Sequence, residues 1–233
     1  MGNMTKKIFI TGCAKTGTTL LLRMCYAFKN TEVLYKEGFN GHELTIDEFV
    51  EKESDQKFLI GKRLPPALLS NTPVSDNQFT EQAEWIKANN IGIINVIRDG
   101  RDVVLSDGNY VSPRRWISSM SQRKQFSEII DVEVSYEEIV RSPDEVQKKI
   151  MKAFKLKKNH KFSDYPKYVE DWVYDWNVSV QGRMGNSDAS ADYGKRKLSD
   201  DSVGKDLEGY KNLCAEEEID QFEQELKEAG YIE

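Results

Sequence analysis

Histidine is nearly missing from this chain: His42 and His160 are the only two in 233 residues. Cysteine is scarce as well. Cys13, Cys25 and Cys214 give no disulfide framework, and no metal-ligand spacing is present, so no bound metal is expected. There is no apolar stretch of membrane-spanning length and no signal-peptide pattern. Met1-Gly2-Asn3 hints at N-myristoylation only faintly, because Lys6 stands where that motif wants Ser or Thr. Nor is there an excess of positive charge. The 33 Lys and Arg against 39 Asp and Glu give a net charge of -6, which disfavours general nucleic-acid binding. The local basic clusters Lys195-Arg-Lys197 and Arg114-Arg115 read as solvated faces, or as faces turned to an anion. These absences leave a soluble, cytoplasmic chain. It has no internal repeat and is long enough for a single α/β domain, residues 1–233, with a proper core.

Among the features present, the segment Gly12-Cys-Ala-Lys-Thr-Gly-Thr-Thr19 stands out. It has the G-x-x-x-x-G spacing of a loop that cradles phosphate. The residue after the second glycine is Thr18, however, and the loop's one lysine, Lys15, lies between the glycines. A nucleoside triphosphatase of the P-loop type needs its lysine after the second glycine to reach the outer phosphates. The anion cradle is kept and the cation is moved, which points to an anionic nucleotide other than Mg-ATP. Lys7 to Thr11 reads as a buried strand before the loop, and Leu20 to Phe28 as a helix after it. The helix N-terminus would turn free N–H groups toward the anion, with Thr18 and Thr19 adding hydroxyls. The alternative is a tight strand-to-helix turn that holds nothing.

A second segment has the same character. Ile91 to Ile97 is another buried-strand run, followed by Arg98-Asp-Gly-Arg-Asp-Val-Val-Leu-Ser106. Arg98 is expected at a strand's carboxyl end, where open α/β sheets bind ligands. Its planar fork suits a phosphate, and the Ser106 hydroxyl can share that phosphate. The plainer reading is an Arg98–Asp102 surface ion pair.

Together the two segments resemble the sulfotransferases that use 3′-phosphoadenosine 5′-phosphosulfate (PAPS), in a soluble bacterial or viral form. That family's first motif, P-K-[ST]-G-T-T, wraps the 5′-phosphosulfate. Lys15-Thr-Gly-Thr-Thr19 matches it, with Ala14 in place of the proline. The second motif, R-x-x-R-D-x-x-x-S, is matched in full by Arg98, Arg101, Asp102 and Ser106. The resemblance implies that Lys15, Thr16, Gly17, Thr18 and Thr19 hold the phosphosulfate, and that Arg98 and Ser106 hold the 3′-phosphate. Val134 to Pro143 is similar to the family's Y-E-D-L segment, which implies that Tyr136 lies beside the adenine. Ser202-Val-Gly-Lys205 is similar to its closing loop, which implies Gly204 and Lys205 near the 3′-phosphate.

The implied reaction is sulfuryl transfer from PAPS to a hydroxyl or amine, with release of 3′,5′-ADP (PAP) and Lys15 stabilising the leaving oxygen. The acceptor needs a base. Members that sulfate phenols and steroids carry a histidine in K-T-H-L-P; here Gly61-Lys-Arg-Leu-Pro65 puts Arg63 there, and arginine is too basic to serve. The heparan-type members use a glutamate after the second strand, and Lys36-Glu-Gly-Phe39 stands in a similar position. Glu37 is therefore the expected base, with His42 and Glu43 next. Two readings compete with this one: a nucleotide-binding protein of the same fold without turnover, and a P-loop kinase of small molecules. The acceptor, a small molecule or carbohydrate, is expected against loops after Tyr35, around Ser70 to Phe79 and around Asn109 to Lys124.

The expected architecture is a P-loop-like three-layer α/β fold, with a central parallel sheet flanked by helices and a helical C-terminal part. Further strands are expected at Glu32–Tyr35, Lys57–Gly61 and Asp131–Ser135, and a helix at Thr80–Asn90. Gly185 to Gly209 reads as a polar loop that either orders over the nucleotide or is plain surface.

Overall fold

A computed structural model describes residues 5–34, 51–62, 76–106, 111–168, 203–204 and 208–233. Its centre is a five-stranded sheet: β1 (Lys6–Gly12), β2 (Thr31–Val33), β3 (Phe58–Lys62), β4 (Gly92–Ile97) and β5 (Val132–Ser135). The spatial order is β2-β3-β1-β4-β5, and every pairing is parallel. A sheet covered on both faces must be apolar on both. In β1 the alternation of side chains sends Ile8 and Ile10 into one core cluster and Phe9 into the other, each at most 1% exposed.

The first face is covered by α1 (Thr18–Met24), α5 (Tyr136–Arg141) and α6 (Pro143–Phe154), through Leu21, Leu22, Ile139, Val146 and Ile150. The second is covered by α2 (Asp76–Ala88) through Ala83 and Ile86. A third cluster lies against the loop after β1. It joins α3 (Gly100–Val104), α4 (Pro113–Gln125) and α8 (Glu216–Glu228) around Trp116, whose ring centroid is 4.9 Å from that of Phe222. A short helix, α7 (Tyr165–Tyr168), packs on the first cluster.

Strand boundaries fall within two residues of the sequence expectation. The helix after the loop starts earlier than expected, at Thr18, and passes into a 3-10 turn at Cys25–Ala27. The stretch around Asn109 to Lys124, expected as an acceptor-binding loop, is mostly helix α4. Ser112 caps that helix by accepting from Arg115 N, and Pro113 occupies its first turn. Trp116, an aromatic within that stretch, is fully buried on the helix's inner side. Among the described residues no helix is long and apolar enough to cross a membrane.

Candidate active site

The strand order fixes where a ligand belongs. The chain leaves β1 toward β2 on one side of the sheet and leaves β4 toward β5 on the other. The crevice between the carboxyl ends of β1 and β4 is therefore the switch point where open α/β sheets bind ligands. Gly12 and Val96 are register partners at that edge. Gly12 has φ +148°, and a Cβ there would come 2.3 Å from the Val96 carbonyl oxygen. A side chain at this position would run into β4, so the loop can turn only on glycine.

The loop folds back on itself after Gly12. Thr16 donates both its hydroxyl (2.7 Å) and its N–H (3.3 Å) to the Cys13 carbonyl. Lys15 is left-handed at φ +69° and half-buried, and its carbonyl accepts from Arg98 Nη1 at 2.9 Å. Gly17, at φ +95°, is the N-cap of α1, and no side chain caps that helix end. The first helical bond runs from Leu21 N to Gly17 O. The N–H groups before Leu21, on Thr18, Thr19 and Leu20, thus have no acceptor within the helix. Behind the loop, between Cys13, Thr16, Asn95, Trp116 and Ser119, is a cavity of ≈ 10 Å³. That is room for about one water, so this cavity cannot hold a nucleotide.

Cys13 sits inside this turn, 3% exposed. Burial pushes its thiol up to about 11, against the charge of Arg115 and a hydrogen bond with Ser119. It is therefore a protonated, unreactive thiol at neutral pH. In the folded protein Cys13 should alkylate far more slowly than the more exposed Cys214, as read by timed iodoacetamide labelling and mass spectrometry. Equal rates would mean that the loop opens readily.

Arg98 follows β4 and is 7% exposed. Its guanidinium lies over the Tyr136 ring, 4.3 Å from Cζ to the ring centroid. Tyr136 is the first residue of α5, held by a capping box. Glu138 N donates to Ser135 Oγ at 3.0 Å, and Ser135 N donates to the Glu138 carboxylate at 2.8 Å. The Ser106 hydroxyl lies just past α3 and donates to the Val103 carbonyl at 2.7 Å. To donate to a phosphate it must leave that carbonyl.

The remaining motif residues build the frame. Asp99 caps α3 by accepting from Arg101 N at 2.9 Å, and it takes the Arg101 guanidinium through Nε and Nη2. Arg101 Nη2 also donates to the Tyr231 carbonyl at 3.1 Å. Asp102 is 6% exposed, and its carboxylate accepts from Gly204 N at 2.9 and 3.0 Å. The Arg98–Asp102 surface pair considered above is thus not the role of Asp102, which accepts from the backbone of Gly204 instead. Glu137 accepts from Asp99 N at 3.2 Å. Burial pushes its carboxyl up; backbone N–H groups and the Arg98 charge oppose that shift. A Cβ on Gly100 would meet Trp116 Cε2 at 2.6 Å, so α3 packs flat on that ring.

The structure thus brings Lys15, Thr16, Gly17, Thr18, Thr19, Arg98, Ser106, Tyr136 and Gly204 to one end of the sheet. Glu37, His42 and Lys205 lie outside the described residues, as do Lys36, Glu43 and Arg63. Sequence reasoning gave no role to Asp99 or Glu137. The Asp-Gly pair at a strand end was a visible helix-start signal for Asp99. Nothing local marked Glu137.

The whole chain is similar to solved sulfotransferase domains. One is the sulfotransferase domain from the Synechococcus PCC 7002 olefin synthase, at 15% identity and TM-score 0.64, covering 100% of this chain and 97% of that one. Another is the sulfotransferase domain from the curacin biosynthetic pathway, at 13% identity and TM-score 0.61, covering 99% of each chain. No protein-family model and no curated protein sequence matches the chain. The fold is therefore that of the sulfotransferases.

Proposed function

We propose that this chain transfers a sulfuryl group from PAPS to a hydroxyl or amine of a small-molecule or carbohydrate acceptor, releasing PAP. One observation carries the reading. The two segments suited to anions are in direct contact at the switch point, with Arg98 Nη1 2.9 Å from the Lys15 carbonyl. One ligand with two separated anionic groups would fit such a pair, and PAPS has its phosphosulfate and its 3′-phosphate. The sulfotransferase fold supports the same assignment.

In this reading Lys15, the N–H groups at the start of α1, and Thr18 and Thr19 hold the phosphosulfate. Arg98 and Ser106 hold the 3′-phosphate, with Gly204 and Lys205 closing over it. The acceptor oxygen attacks sulfur in line as the bond from sulfur to the bridging oxygen breaks, and PAP leaves with that electron pair. Charge builds on the bridging oxygen, where Lys15 stabilises it. The acceptor proton passes to a base, for which Glu37 is the first candidate and His42 the second.

The test is thermal stability with PAP, AMP, ADP, ATP and Mg-ATP in parallel. A ligand that binds only the folded state adds about 2.7 kcal/mol at 100 times its Kd. Stabilisation by PAP well above AMP or ADP is expected. Stabilisation by Mg-ATP without PAP would replace this reading with a kinase. PAP binding with no labelled product from PAPS in a cell extract would leave a binding protein without turnover.

A further inference from the structure

Tyr136 does more than border the crevice. One face of its ring lies against the Arg98 guanidinium, 4.3 Å from Cζ to the centroid. Its edge fills the space over Gly17, where an added Cβ would come 2.6 Å from Cδ2 and 3.3 Å from Cε2. Arg98 in turn donates to Lys15 O at 2.9 Å. Loop, ring and guanidinium therefore close a circuit in which each member touches the next. The capping box at Ser135 and Glu138 holds the backbone at the start of α5, from which the ring projects. On the other side Trp116 Nε1 donates to the Arg98 backbone carbonyl at 3.4 Å, which holds the stem from which the guanidinium extends.

A guanidinium offers all its N–H donors in its own plane and none above it. Covering its face with an aromatic ring occupies no donor and stops the fork from rotating. Nη1 is already directed at Lys15 O, so the plane of the fork is set by two contacts. A freely turning arginine would still supply charge, but its geometry would not match a phosphate.

Building on the PAPS reading, we infer that Tyr136 is a specificity-determining positioning residue. It holds the Arg98 fork in the plane that recognises a 3′-phosphate, and so sets the preference for 3′-phosphorylated adenine nucleotides over those without that group. This differs from the adenine contact that the family resemblance implies. An adenine contact would serve PAP and AMP equally, because both carry the base. A fork-positioning ring serves only the ligand with the extra phosphate.

The experiment is calorimetric titration of PAP and 5′-AMP into the wild-type protein, Tyr136→Phe and Tyr136→Leu. The phenylalanine variant keeps the ring and should keep the wild-type ratio of affinities. The leucine variant loses the stack, and its PAP affinity should fall about tenfold while its AMP affinity changes less than about twofold. If Tyr136→Leu does not fold, Tyr136→Met supplies the same loss of a planar ring. Equal losses for PAP and AMP would overturn the inference in favour of an adenine contact. A wild-type preference for PAP that survives in the leucine variant would overturn this role alone. A wild-type protein that binds PAP no more tightly than AMP would overturn both this role and the donor reading beneath it.

Discussion

Gly12→Ala is expected to be the most destabilising single-methyl change in the sheet. Two costs combine there. The backbone, at φ +148°, lies where side chains are rarely tolerated, and the new Cβ would sit 2.3 Å from the carbonyl oxygen of Val96. That oxygen belongs to the neighbouring strand, so relief requires β1 and β4 to part at their carboxyl ends. The loss should be on the order of 3–5 kcal/mol, with a fall in Tm of roughly 2–4 °C for each kcal/mol in a chain of this size. Gly230→Ala separates the two costs. Gly230 also has positive φ, +80°, but nothing lies within 4 Å of its would-be Cβ. That variant should lose only the backbone part, about 1 kcal/mol. Urea unfolding of both variants decides the matter; equal losses would mean that the edge of β4 yields freely.

Lys15→Ala should leave the fold intact and cut turnover by roughly 10²–10³, the scale of losing one donor to a developing oxyanion. Stability is a clean control at this site. Lysine and alanine dislike φ +69° to a similar degree, so the backbone cost cancels between them. Lys15→Gly sharpens the test. Glycine relieves the left-handed strain and should stabilise the protein by up to about 1 kcal/mol, yet its turnover should fall as far as that of the alanine variant. Because the Arg98 bond is made to the Lys15 carbonyl, it survives both substitutions. PAP affinity should therefore fall less than turnover. Turnover near wild type in either variant would remove Lys15 from the chemistry.

Much of the sheet was legible because parallel strands buried on both faces read as continuous apolar runs. Ile8–Ile10 and Gly92–Ile97 are of this kind. The loop between β1 and α1 was legible for a different reason, since its glycines have a steric requirement that no other residue meets. Helix α4 is hidden in the sequence because its apolar residues, Trp116, Ile117 and Met120, sit among Arg, Ser, Gln and Lys; the Ser112-Pro113 pair marks its start. The roles of Arg101 and Asp102 could not be read at all. Their partners, Tyr231 and Gly204, are 130 and 102 residues away. A guanidinium or carboxylate looks the same in sequence whether it binds a ligand or a distant carbonyl or amide. Tyr136 fell between these cases: its place beside the crevice was expected, but its contact with Arg98 depends on how α5 is seated against the loop.

Those two distant bonds have a consequence for the order of events during synthesis. The strands and the glycine loop are complete by residue 135, but the frame beneath α3 has to wait for residues 204 and 231 to emerge. Contacts of such long range are entropically costly to close and tend to form late in folding. Until residue 222 emerges Trp116 has no Phe222 ring to pack on, and until residue 204 emerges Asp102 has no Gly204 amide to accept from. The loop, Arg98 and Tyr136 all precede those residues, so the crevice can be laid down before the frame that holds α3 is closed, and in that interval the aromatic surface would be open to chaperones or to misassociation.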